Sequence, residues 1–453
     1  MKIHAALKNL NQESDVLFQS SSALADRVRT RPAKLDRGRI KNGQQPHARP
    51  KQVTPVPGVR PGDHMSVTPW QVLHTFARAT ALAGQGSARA LAQHWDCLRY
   101  VTSLDAASRG RLRLSGDGND LNYHRKAVQA RDLGTSFGLA AAQHVLRQQY
   151  PDYRFDSLDA ELVLTAFCGV RSGKPAAGTT ATRPNYFLVG RKPGSPPRLV
   201  AIDTRGSHSR PDSLHGQLVL SQQRVHTILI GESDLRGNPV PALMTATGLR
   251  HGNDIETRLL AAEGNGVLAA ADVSLPAEDL NLPPWITCID ADGRQSSRPG
   301  FAVPEDRRGW LSRLLVRTSA ASLLTFAGDR AAASDLLTER QRKRLGTTGA
   351  DSVPGAQGDA SITLGGMSFV GTDQVFRLKG RRVEVYSALL ADQYDLLAAG
   401  RLDEHEARVP TALKAWHRNK TSAEREWKGH VHMDASGALL AIRVRRQSNR
   451  PLS

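Results

Sequence analysis

The sequence predicts an α/β fold with an αβββαβ core, a helical region before it and a small α+β domain after it. Three observations carry this. Between Asp132 and Glu232, apolar residues recur first at helical spacing, then in three short runs, then in a second helix and one last apolar run. Ahead of this stretch, Trp70, Leu73, Phe76, Ala77 and Thr80 repeat with a helical period. Near the C-terminus, Phe369–Leu378 and Val383–Tyr386 flank Lys379-Gly380 as a hairpin, and a helix follows.

The elements follow in chain order. Residues 1–64 hold 12 Lys and Arg against 5 Asp and Glu, with many Pro and Gln and few aromatics. Such a segment is expected to be a disordered basic arm, which leaves Met65 as an alternative start. Residues 65–131 read as a helical lead-in, with Thr68-Pro69 as N-cap and first-turn proline. The core and its extension cover 132–303. Leu133, Phe137, Ala141 and Val145 mark one face of a helix that stops before Pro151. Glu161–Cys168, Pro184–Gly190 and Arg198–Arg205 are the three expected strands, the last two joined through the turn Lys192–Pro197. Ser213–Arg224 is the second helix and Val225–Gly231 the fourth strand, expected to run parallel. A helical pair broken at Gly328 fills 304–346, a Gly/Ser/Ala linker fills 347–361, and the α+β domain fills 362–453.

Composition narrows the function. The 453 residues carry a formal charge of +18, which favours a polyanionic partner such as nucleic acid, DNA in the first instance. Cys97, Cys168 and Cys288 lie far apart with no CxxC pair, so neither a disulfide framework nor a zinc module is expected, and a reducing, cytoplasmic setting fits. No apolar run is long enough to span a bilayer, so no membrane partner is expected.

The residues that could carry chemistry lie in the hairpin. Pro184-Asn185 opens one strand and Asp203-Thr204-Arg205 closes the next, and the strand period of two puts residues 203 and 205 on one face beside Asn185. With the αβββαβ order around it, and with Gly206 and a glutamine-bearing helix (Gln217, Gln222, Gln223) after it, this stretch resembles the PD-(D/E)XK, or restriction-endonuclease-like, superfamily over about a hundred residues. The resemblance implies a catalytic set of Asn185, Asp203 and Arg205. It also implies Mg²⁺ held by Asp203 and Asn185, with Glu161 as a migrated carboxylate. Two positions depart from the family pattern. Asn185 is a neutral ligand where the family has Asp, and Arg205 is permanently protonated where the family has Lys. Arg205 therefore suits binding to a phosphate better than relaying a proton.

Other patterns compete. Gly134-Thr-Ser136-Phe-Gly138 fits the GxSxG nucleophile elbow, with Asp203 and His226 in triad order, but a polar segment precedes it where a buried strand is needed. Gly169–Lys174 has a phosphate-loop outline, with Pro175 in place of the metal-binding hydroxyl. His430 and His432 read as a pair of exposed strand histidines. Arg340, Arg342, Lys343 and Arg344, with the C-terminal arginines, are candidates for phosphate contacts.

The expected function is nucleic-acid binding by a divergent, weak or inactive nuclease-like domain, in DNA processing or defence against foreign DNA. An active Mg²⁺-dependent endonuclease and a non-nuclease scaffold protein are the alternatives.

Overall fold

A computed structural model describes residues 3–43, 52–82, 93–106, 110–119, 121–168, 183–225, 227–231, 238–289, 295–346, 360–378 and 380–445. An eight-stranded mixed sheet forms the centre. Its path runs His64–Val67, Ser14–Gln19, Glu256–Ala262, Ala242–Gly248, Arg198–Ser207, Tyr186–Arg191 and Arg154–Asp159, with Val53–Thr54 added beside Glu256–Ala262. The sheet curls, so that residues of its two edges, Met65–Val67 and Phe155–Ser157, line the same cavity.

Helix Tyr123–Gln149 lies on one face of this sheet, capped by the Asn122 side chain on Arg125 N (3.1 Å). Leu133, Phe137 and Ala141 pack there with Leu188, Val200, Ile202 and Leu243. On the opposite face Phe187, Leu199, Ala201 and Met244 pack with Leu214 and Leu218 of helix Pro211–Arg224. The alternation of strand residues between these two cores fixes the register, because a one-residue slip would turn every side chain over.

The hairpin is present, with Tyr186 opposite Ile202 in an antiparallel pair. Two other core strands differ from expectation. The first is Arg154–Asp159, while Ala160–Thr165 is a short helix capped by Asp159 Oδ1 on Leu162 N (3.0 Å). A short apolar run buried on all sides does not reveal whether it is strand or helix. Ile228–Ile230 joins a separate three-stranded sheet with Asn238–Pro239 and Phe301–Val303. The strand parallel to Arg198–Ser207 is Ala242–Gly248, with Ala242 beside Ala201 and Gly248 beside Ser207.

The expected disordered arm is also corrected. Helix Ile3–Leu10 and strand Ser14–Gln19 belong to the fold, and Ala6, Leu10, Val16 and Phe18 are buried. The strand pairs on both sides, parallel to Glu256–Ala262 and antiparallel to His64–Val67. High average charge hid a short alternating segment that supplies an inner strand. Where a helical pair was expected over 304–346 there are three α-helices, Arg308–Phe326, Arg330–Asp335 and Glu339–Leu345, with Gly328 at φ +91° between the first two.

The C-terminal unit is a five-stranded antiparallel sheet, in the order Ala360–Leu364, Met367–Leu378, Arg381–Leu390, Ala438–Val444, His430–Met433, with helices Ala391–Ala398 and Leu402–Trp427. It docks on helix Pro69–Thr80, whose N-terminus carries the Thr68/Gln71 capping box. Trp70 Nε1 donates to Leu440 O (3.0 Å), and the Nδ1 atoms of His74 and His432 share a hydrogen bond of 2.7 Å. His94 Nε2 and Ser387 Oγ are 2.9 Å apart. His432 and His430 are both half-buried rather than exposed, and His432 lies at the junction.

Burial holds His74, His94, His405 and His432 neutral. For His94 burial, then Arg330, lowers the pKa to about 3; for His405 burial, then Arg191, does the same. The unfolded chain binds protons at these groups below about pH 6.5, where the folded chain does not, so stability is complete above that pH and falls on acidification. Each such histidine contributes a slope of up to ~1.4 kcal/mol per pH unit. Urea unfolding at pH 7 and pH 5 is expected to show the loss, with a shallower slope in His405→Gln. Equal stability at the two pH values would contradict these burial states.

Candidate nucleic-acid interface

Backbone pairing sets the site. Asn185 N donates to Ile202 O (3.1 Å), which brings Asn185 to the end of the hairpin beside Thr204. Its Nδ2 donates to Thr204 O (3.0 Å). Thr204 faces the long helix, where its Oγ1 lies 3.2 Å from Thr135 Oγ1. Asp203 and Arg205 face the other side of the sheet, toward helix Pro211–Arg224.

Asp203 is fully buried, and its Oδ2 accepts from Arg205 Nε at 2.8 Å. Its Oδ1 and Arg205 Nη2 are both buried without a hydrogen-bond partner among the described residues. The carboxylate thus anchors the guanidinium from beneath. One edge of Arg205 is spent on Asp203 and Nη2 is sealed from solvent, while the side chain as a whole is 19% exposed and lines the cleft.

Arg205 opens into a cleft of about 880 Å³ lined by residues from the long helix, the hairpin and helix Pro211–Arg224. Of the sequence-predicted residues, Glu161, Asn185 and Arg205 line it, while Asp203 lies below its floor. Glu161 stands in the first turn of helix Ala160–Thr165 rather than on a strand, and its two oxygens are taken by Arg183 and Arg344. The basic run of helix Glu339–Leu345 separates into different roles. Arg344 reaches the edge of the cleft through Glu161. Arg340 Nη1 donates to Leu280 O (2.7 Å) and braces a loop, and exposed Lys343 pairs with Glu339 on its own helix. Arg342 is half-buried on the same helix.

Sequence reading missed four cations of the cleft: Lys126, Arg131, Arg183 and Arg224. The only local signals were that Arg183 precedes Pro184 and that Arg224 ends a helix. Arg224 is half-buried, and burial followed by repulsion from Arg205 lowers its pKa, with Arg183 adding to the effect. Three guanidinium groups therefore crowd one wall. The carboxylates lining the cleft are already engaged. Asp132 Oδ2 accepts from Tyr100 Oη (2.7 Å) and its Oδ1 from Arg131 Nε (3.1 Å), Asp96 pairs with Arg99 (2.6 Å), and Asp159 caps a helix. Burial, then Asp132, raises the Tyr100 pKa, so this phenol stays protonated.

These donors do not fit a Mg²⁺ site. Asn185 is neutral, Asp203 is committed to Arg205, and Glu161 carries two arginines, so positive groups occupy the place where a dication would need negative ones. No group of three His, Cys, Asp or Glu suited to a metal occurs among the described residues.

The GxSxG motif has a packing role. Ser136 is fully buried in the long helix and its Oγ donates to Asp132 O (2.9 Å). Gly134 lies against Gly206, where a Cβ would stand 2.4 Å from Gly206 N, and Gly138 lies against Thr204 and Thr245. His226, Gly169–Lys174, Arg446 and Arg450 lie outside the described residues.

Comparison with models of protein families, with characterised proteins and with solved structures gives no match. Among the described residues no helix is long and apolar enough to cross a membrane.

Proposed function

We propose that this chain binds nucleic acid, DNA in the first instance, by gripping the phosphodiester backbone in the cleft at the hairpin without cleaving it. We further propose that the core is a divergent member of the PD-(D/E)XK superfamily. The observation that carries the reading is Arg205, fixed from below by buried Asp203 and partly exposed in the cleft, with Arg183 and Arg224 beside it. Helix, three-stranded meander, second helix and a parallel strand follow one another in the chain, with helix Ala160–Thr165 inside the meander and strands Ile228–Ile230 and Asn238–Pro239 before the parallel strand Ala242–Gly248, and this order supports the family reading. Guanidinium groups bind phosphate oxygens through paired N–H donors and carry no sequence information, so the binding is expected to be largely indifferent to sequence.

Fluorescence anisotropy with a labelled duplex tests this, using Asp203→Asn combined with Arg205→Gln. The pair removes both charges together, because losing Arg205 alone would leave a buried carboxylate uncompensated at a cost of about 3–5 kcal/mol. Together with Arg224→Ala the variant is expected to bind at least tenfold more weakly at equal salt. Wild-type protein is expected to leave supercoiled DNA intact in Mg²⁺. Unchanged affinity in the variant would refute the cleft as the binding site, and nicking lost on EDTA addition would refute the non-cleaving reading.

A further inference from the structure

A second cavity lies at the junction between the core and the C-terminal unit, apart from the cleft above. Its volume is about 360 Å³, and it opens between the two edges of the curled sheet, helix Pro69–Thr80, the long helix and the turn after His432. Ligand pockets of this size are common for small molecules.

Its charges are unequal. Asp156, at the inner end, is buried and pairs with Arg191 (2.6 Å), and it also accepts from Ser319 and Ser436. Asp434 accepts from Arg78 Nε through Oδ2 (3.1 Å) and from Ser436 N and Ala438 N through Oδ1 (2.9 and 3.0 Å). Both carboxylates are therefore satisfied. Arg147 is different: its Nε donates to Gln143 O (3.2 Å), and no carboxylate lies within ion-pair distance of it among the described residues. Arg147 lines the cavity, as does Arg78. His417 Nδ1 donates to Leu413 O (2.6 Å), so its Nε2 donates to an anion only as an imidazolium and otherwise accepts from a protonated phosphate oxygen. Deeper in, His74 Nε2 is buried without a partner among the described residues, although its Nδ1 is bonded to His432.

We propose that this cavity binds a phosphomonoester, with Arg147 as the principal contact, Arg78 as a second cation and His417 as a side-chain ligand. An anion here supplies the direct ion-pair partner that Arg147 lacks among the described residues, Asp434 acting on it only from beyond ion-pair distance, and a phosphate offers several oxygens to groups that converge from three elements. Occupancy fastens the C-terminal unit to the core, since the lining belongs to both. The proposal is independent of the hairpin cleft. The phosphate group can come from a free nucleotide or from the 5′ end of a nucleic acid strand, and the two sources share this chemistry.

The test uses the full chain at constant ionic strength, with sodium chloride as the balancing salt. Inorganic phosphate and adenosine 5′-monophosphate are titrated by calorimetry and followed by thermal melting. Both are expected to bind and to raise the melting temperature, because a ligand of the native state stabilises it. Arg147→Ala is expected to weaken binding at least tenfold, and His417→Ala to weaken it less. The cleft variant (Asp203→Asn with Arg205→Gln) is expected to retain the phosphate effect. A 5′-phosphorylated oligonucleotide compared with its 5′-hydroxyl form then separates the two sources. Phosphate binding that is absent, that persists in Arg147→Ala, or that is lost only in the cleft variant would overturn the proposal.

Discussion

A chain lacking residues 1–64 is expected to lose cooperative folding. The deletion removes strand Ser14–Gln19 from the inside of the sheet, between His64–Val67 and Glu256–Ala262, and leaves both neighbours with unpaired backbone groups. It also removes the buried side chains of Leu10, Val16 and Phe18, and of Leu24 and Val28 from helix Ser22–Lys41. At about 1.5–3 kcal/mol for each fully buried apolar side chain, the loss is roughly 10 kcal/mol, comparable with the whole stability of a typical domain. Circular dichroism melting and limited proteolysis read the result. A truncated chain with a sharp, reversible transition near that of the full protein would contradict the placement of this segment in the sheet.

Gly134→Val is expected to be strongly damaging to the core. The long helix meets the sheet at Gly134 and Gly206 with no room for a side chain, the nearest atoms being backbone that no rotamer change can move. Overpacking of this kind costs about 3 kcal/mol or more, because the helix must lift off the strand that carries Asp203 and Arg205. Ser136→Ala, between the two glycines of the motif, is expected to cost about 1 kcal/mol, the value of one hydroxyl-to-carbonyl hydrogen bond. Denaturant unfolding distinguishes the two. Retained stability in Gly134→Val would mean that the helix–strand contact is looser than the geometry indicates. Loss of an ester-hydrolysing activity in Ser136→Ala would revive the nucleophile reading.

The local parts of the fold were legible where one period ran uninterrupted. The Thr68 cap, the long helix, the hairpin and the C-terminal strands all carry alternation or helical spacing strong enough to read. Strand Ala242–Gly248 was missed for the opposite reason. It is buried on both faces, so Leu243 and Met244 both point into cores, and the alternation of Thr245 and Thr247 with Ala246 marks no solvent face. Strand Ser14–Gln19 was hidden by its charged surroundings. At the site, the sequence named Asn185, Asp203 and Arg205 because they are close in the chain or across a tight hairpin. It could not show that Asp203 is sealed beneath Arg205, that Glu161 is held by Arg183 and Arg344, or that Arg224 reaches the same wall from a neighbouring helix. Those facts depend on the packing of elements 20 to 180 positions apart, where composition and period are silent.

The salt dependence of duplex binding tests the central claim most directly. Each phosphate contact contributes about −0.9 to the slope of log K against log salt, since neutralising it releases a counterion. Removing Arg205 (with Asp203→Asn to balance the buried charge) and Arg224 should therefore make the slope shallower by about 2, while lowering affinity at every salt concentration. A slope and affinity equal to those of the unmodified chain would show that nucleic acid, if bound, is held somewhere other than the hairpin cleft.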